Sequence, residues 1–279
     1  MEVTILVDNQ TFVDQYYFGE PGISFYIETE GKKVLFDVGY SGIFLDNAMK
    51  MGIDIGDVDY IALSHGHDDH TGGLSEFIKG QREKQRNGSR IKPPVLLAHP
   101  WTFYYKESEK GEENGSMIPR ETLEKHFSLH LSKNPYWITD RLVFLGEIDR
   151  SNDFENREPS GRMLNNGSME QDYMMDDSAL VYKAKEGLVI LTGCAHAGIC
   201  NTVEYAKKVT KEEKIHRVIG GFHLLSPDQK LLEETLNYLK KQEIGEVYAG
   251  HCTDLQSKIA LSQGLNIREL GVGIKKDFC

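Results

Sequence analysis

Positive charge is scarce in this chain: 32 Lys and Arg stand against 43 Asp and Glu, a formal net charge of −11. Such a surface offers no long-range attraction to phosphate backbones or anionic lipid, which argues against nucleic acid and membranes as partners. A local basic pocket for a small anion remains compatible with it. Cysteine is scarce too. Cys194, Cys200, Cys252 and Cys279 form no CxxC pair and are too few to staple 279 residues, so a disulfide scaffold is excluded and reduced thiols are expected. No stretch approaches the roughly 20 apolar residues that span a bilayer. The opening MEVTILVDNQ has no basic segment followed by an apolar one, so a cytoplasmic location is expected.

What is present suffices for a sizeable core, with 39% hydrophobic and 27% charged residues. Strand signals dominate the first part: VTILV at 3–7, ISFYIET at 23–29 and KVLFDVG at 33–39, the last two joined by the turn Glu30-Gly31-Lys32. A helical stretch over 41–51 precedes the strand VDYIALS at 58–64. Between 79 and 172 the periodicity fades. KGQREKQRNGSRIKPP and KESEKGEENGSMIPRE read as loops or helix ends, and residues 153–177 as a mobile lid or a plain surface loop. From Ser178 regularity returns: SALVYKAKEGLVILTG is a hairpin, Asn201 with Glu204 reads as a capping box, and Ser226-Pro227 reads as the cap and first residue of a helix. HRVIGGF and EVYAGH are strands that run into His223 and His251. The expectation is one α/β (α+β) domain over 1–279, two sheets face to face with helices outside, carrying a variable insertion at 79–172.

SHGHDDH at 64–70 places three imidazoles and two carboxylates in seven consecutive residues, directly after a strand. Side chains alternate along an extended segment, so His65 and His67 face one ion, while Asp69 and His70, after a change of direction, face a second. Nitrogen-rich sets with one carboxylate suit zinc, with iron or manganese as alternatives, better than calcium or magnesium. A cluster that merely bonded to itself would bury polar groups at a cost with no packing return. Two divalent transition-metal ions are therefore expected.

SHGHDDHTGG resembles the HxHxDH signature of the metallo-β-lactamase superfamily. TGCAHAG, GGFHLL and GHCT are similar to motifs of the branch that includes dihydropterin ribofuranosyl-aminobenzene phosphate synthase-like proteins. The resemblance implies a four-layer αββα sandwich of two mixed β-sheets with the metals at one edge. It also implies Asp37, in LFDVG, as a carboxylate behind the histidine loop, and His251, in GHCT, as the last histidine ligand. Two departures stand out. Cys194 occupies the place of the bridging carboxylate of the family's TGD, and the GHTPG loop that brings a third histidine is replaced by Tyr173-Met174-Met175-Asp176-Asp177. His196 takes the missing ligand's place, with Asp177 as the alternative and a supporting role for His196 as the other reading. The expected ligands are then His65, His67, Asp69, His70, His196 and His251, with Asp37, Cys194 and Asp177 behind them.

Asp69 and His223 are the catalytic candidates. His223 follows two glycines and precedes a helix start whose free N–H groups favour an anion, although a plain role at the sheet edge fits equally. The leading expectation is a metal-dependent hydrolase that uses a dinuclear-metal-activated water on a small, anionic or phosphate-bearing substrate. Two alternatives stand beside it: an iron-containing redox or electron-transfer protein, suggested by Cys194, Cys200 and Cys252 near the histidines, and a catalytically silent ligand-binding protein.

Overall fold

The computed structural model of the protein describes residues 1–278; Cys279 lies outside the described residues. Alternation within the strands decides the architecture. In Lys32–Phe36, Val34 and Phe36 join one apolar cluster and Leu35 another; in Gly187–Thr192, Val189 and Leu191 part from Leu188 and Ile190 in the same way. A strand apolar on both faces must be covered on both, and four layers result. Two seven-stranded sheets pack face to face over a shared cluster that includes Phe25, Phe36, Tyr182 and Leu191. The helices Ile43–Lys50 and Leu74–Arg86 cover the outer face of one sheet through Phe44, Ala48, Leu74 and Phe77. The helices Ile199–Thr210, Gln229–Lys241 and Leu255–Leu261 cover the other through Val203, Ala206, Leu239 and Leu261. Each fully buried Phe or Leu in these clusters contributes roughly 1.5–3 kcal/mol of transfer free energy.

Both sheets are mixed. The first runs in the order Lys275–Asp277, Glu2–Val7, Ser24–Thr29, Lys32–Phe36, Tyr60–Ala62, Val95–Ala98 and Ser128–Leu131, antiparallel as far as Lys32–Phe36 and parallel beyond it. The second runs Ile267–Arg268, Glu246–Gly250, Ile215–Gly221, Gly187–Thr192, Ala179–Ala184, Leu142–Phe144 and Tyr136–Trp137, parallel through the first four and antiparallel after. Because the parallel strands of both sheets end at one edge, the segments that follow them meet there. Asp8, Asp37, the histidine cluster, Cys194, His223 and His251 all leave strand ends at this edge.

Several local expectations are corrected. The first half of KGQREKQRNGSRIKPP, read as a loop or helix end, belongs to the helix Leu74–Arg86, its polar residues facing water. Residues 153–177, expected as a lid or loop, contain a hairpin, Arg162–Asn165 with Ser168–Gln171, that pairs with Lys106–Glu107 in a three-stranded sheet. Asn201 is not a cap: it lies inside Ile199–Thr210, and the carboxylate of Glu155 instead accepts the N–H groups of Cys200 and Asn201, both at 2.8 Å. Asp228, rather than Ser226, caps Gln229–Lys241 by accepting the Leu231 N–H at 2.8 Å. Among the described residues no helix is long and apolar enough to cross a membrane.

Candidate metal centre

The strand Tyr60–Ala62 delivers Leu63, Ser64 and His65 in extended backbone, and a one-turn helix, Asp68–Thr71, turns the chain back immediately after His67. That reversal separates the cluster into two halves. His65, His67 and His196 form a triangle with ring centroids 4.8, 4.7 and 4.9 Å apart. On the other side, His70 Nε2 lies 3.2 Å from His251 Nε2, with Asp69 Oδ2 3.5 and 3.3 Å from the two nitrogens. Asp69 can join either half, since it falls in a compact donor group with His65 and His67 and in another with His70 and His251. Cys194 does the same: its sulfur is 3.2 Å from His70 Nε2 and also groups with His65 and His196.

Four of the rings, those of His65, His70, His196 and His251, are held from behind. His65 Nδ1 lies 2.9 Å from Ser64 Oγ, His70 Nδ1 2.7 Å from Asp37 Oδ2, His251 Nδ1 2.9 Å from Asn9 Oδ1, and His196 Nδ1 3.4 Å from Ser160 Oγ. Partners on Nδ1 turn these four Nε2 atoms inward, the arrangement that orients metal-bound imidazoles. His65 Nε2 and His196 Nε2 are buried with no hydrogen-bond partner, an expensive omission unless something else satisfies them. The donor set therefore fits cations. Close approach behind the cluster requires Gly193, where a Cβ would lie 2.1 Å from Ser64 Oγ and 2.7 Å from Asp37 Oδ2.

The electrostatics divide along the same line. Burial pushes His65 and His196 well below the usual imidazole range and His67 down to about 4, so this half presents neutral nitrogens, as metal binding requires. In the other half burial also opposes charge, but Asp69 and Asp37 outweigh it and hold His70 up to about 9; the field there favours a positive charge. Burial pushes Asp177 up to about 7. Its Oδ2 accepts the Ala197 N–H at 2.8 Å, beside His196 in the chain, while Oδ1 is unpartnered.

A cavity of about 660 Å³ opens above the centre, lined among others by His67, Asp69, His196, His223, His251 and Arg157. The sequence matches the profile of the metallo-beta-lactamase superfamily over residues 18–251.

The chain belongs to the metallo-beta-lactamase superfamily.

An uncharacterised protein of Methanocaldococcus jannaschii is 31% identical over 94% of both chains. From the same organism, 7,8-dihydropterin-6-methyl-4-(beta-D-ribofuranosyl)-aminobenzene-5'-phosphate synthase is 29% identical over 92% of this chain and 89% of its own. The crystal structure of a metal-dependent hydrolase of the beta-lactamase superfamily superposes with a TM-score of 0.83 at 26% identity, covering 99% of this chain and 98% of the other. The superfamily fold accounts for the two mixed sheets with helices outside and for the single edge at which the histidines gather.

Of the residues singled out in the sequence, His65, His67, Asp69, His70, His196 and His251 are brought together, with Asp37 directly behind His70. Cys194, expected behind the ligands, has its sulfur in compact groups with the donor atoms of His65, Asp69, His70, His196 and His251. Asp177 is set back behind the backbone of His196 and joins none of the compact donor groups. His223 has its ring 4.1 Å from that of His196 and groups with Cys194 and Cys252. Its neighbouring helix offers no open N-terminus of the kind expected, because Asp228 already supplies a carboxylate there. Cys200 lies in the core with Val203 and Ala206, away from the site. Asn9, Ser64 and Ser160 were not singled out; short polar residues have no signature in one sequence until the fold brings them to an imidazole.

Proposed function

We propose that this chain is a metal-dependent hydrolase of a small phosphate-bearing substrate, with two divalent transition-metal ions held by His65, His67 and His196 in one half and by Asp69, His70 and His251 in the other. Cys194 stands where both halves can use it. The observation that carries the reading is the inward convergence of the Nε2 atoms, two of them buried and unpartnered. Zinc is the first candidate, because imidazole with one carboxylate and one thiolate suits it. Such ions, when bound, supply Lewis-acid charge and bring the pKa of water toward neutrality.

The chain's own residues do the rest. Asp69, between the halves, orients the attacking oxygen. Arg157 brings a cation to the cavity and Phe222, Leu224 and Leu231 an apolar wall, which suits an anionic group on an organic body. The relative whose name ends in 5'-phosphate synthase supports a phosphate-bearing substrate and leaves bond-forming or eliminating chemistry open beside hydrolysis. His223, at the cavity wall, steadies the oxyanion that develops on the substrate.

Protein purified without chelator is expected to carry two transition-metal ions per chain and to turn over one class in a panel of phosphate monoesters, phosphodiesters, thioesters and lactones. Trace metal only, with no rebinding of zinc, manganese or iron, defeats the reading. A colourless zinc protein separates it from the iron-redox alternative, whose case is reduced by the remote position of Cys200. In a second test, His223→Ala should lower kcat by on the order of 10²-fold while the metal content stays at two. Loss of an ion in that variant would make His223 a ligand and displace His196 or His251 from the set.

A further inference from the structure

Lys106 sits on the small inserted sheet with 1% of its surface exposed, beside Asp172 at 2% and Asp176 at 0%. Charged side chains are almost never so buried unless paired. Its Nζ donates to Asp172 Oδ2 at 2.6 Å and to Asp176 Oδ1 at 2.9 Å. Asp176 directs its other oxygen at the histidine cluster: Oδ2 accepts the Gly66 N–H at 2.8 Å. Gly66 separates His65 from His67, and a Cβ on it would lie 2.2 Å from Thr102 O and 2.9 Å from Lys106 Cε. The next residues are gripped as well, by a β-bridge from His67 to Gly115 and by the Asp68 N–H donating to Asn114 O at 2.9 Å. An ion pair that served only to pin the small three-stranded sheet would have no need of the Gly66 contact.

We infer that Lys106, acting through Asp176, is a positioning residue for the His65–His67 half of the metal centre. It fixes the Gly66 peptide so that both imidazoles face one ion. The two halves then have separate supports, Asp37 behind His70 and the Lys106–Asp176 pair behind His65 and His67. This inference rests on the metal-centre reading above.

The test is a stepwise titration of metal-free, full-length protein with Co(II), followed by calorimetry and by the visible d–d bands. The wild type takes up two equivalents. In Lys106→Met one equivalent weakens by roughly 10–100-fold, the usual consequence of losing support behind a metal ligand, with an altered d–d spectrum, and the other keeps its wild-type affinity. Asp176→Asn, which keeps an oxygen for the Gly66 N–H but breaks the ion pair with Lys106, weakens the same equivalent. Should Lys106→Met fail to fold, Asp176→Asn decides alone. Unchanged affinities, or equal weakening of both equivalents, overturn the inference. A wild type that takes up no cobalt overturns the metal reading instead.

Discussion

Replacing Asp69 by Ala should lower kcat/KM by at least ~10³-fold, about 4 kcal/mol of transition-state stabilisation, and should cost the protein one of its two metal ions. No other carboxylate falls in compact donor groups with both halves of the centre among the described residues. Its Oδ2 faces His70 and His251 at 3.5 and 3.3 Å, and the same side chain reaches His65 and His67. Burial opposes ionisation of Asp69, yet His70 and His251 outweigh it and keep its pKa below the ordinary carboxylate value, so it is an anion at any working pH. Alanine removes both a donor and the charge that balances a dication. Metal analysis together with kcat/KM on the best substrate of the panel checks this. Two ions per chain and a rate within tenfold of wild type would remove Asp69 from the proposed chemistry. Asp69→Asn, which keeps an oxygen donor without the charge, should fall between the two.

The part of the centre legible from the sequence was the part built from consecutive residues. SHGHDDH declared itself because three imidazoles after a strand have few structural uses, and the strand-end positions of His196 and His251 followed from hydrophobic runs. The position of Cys194 was not legible: a lone thiol after TG gives no distance, and the fold, in which Gly193 packs closely on Ser64 and Asp37, places its sulfur 3.2 Å from His70 Nε2. The supports behind the rings were hidden for a related reason. Asn9 meets His251 across 242 residues and Ser160 meets His196 across 36, and nothing local marks such a pair.

Strands of the two large sheets were legible for the same physical reason that the region 79–172 was not. Val34, Phe36, Val189 and Leu191 alternate because both faces of their sheets are buried, whereas the strand Lys106–Glu107 of the small sheet is two residues long and has no period to detect. Its one apolar-looking feature in the structure, a fully buried lysine, reads as surface in any sequence. The misplaced caps follow from distance as well. Glu155, far from Ile199–Thr210 in the chain, supplies the acceptors that Asn201 was expected to provide, so the local box was a coincidence of composition.

Asp37→Ala should weaken metal binding by roughly 10–100-fold at the His70 half, while the chain still folds. Asp37 is fully buried and accepts three hydrogen bonds or close polar contacts at 2.7 Å: the Ser64 N–H, the Ser64 hydroxyl and His70 Nδ1. It does so from a left-handed backbone, φ 56°, which few residues other than Gly, Asn and Asp adopt easily. A buried donor left without its acceptor costs roughly 1–3 kcal/mol, but the Ser64 hydroxyl has His65 Nδ1 at 2.9 Å as a second partner. The net loss, about 3 kcal/mol, is less than the roughly 5–15 kcal/mol that holds a native domain together. The larger consequence is chemical. With Asp37 gone, only the longer Ser64 Oγ contact, at 3.4 Å, faces His70 Nδ1, and the ring is freer to turn its Nε2 away from His251 and Cys194. Denaturant unfolding and stepwise cobalt titration measured on one preparation separate the two effects. A variant that loses stability but keeps both metal affinities would make Asp37 a strut for the Ser64 turn and nothing more, whereas weakening confined to one equivalent would tie it to His70.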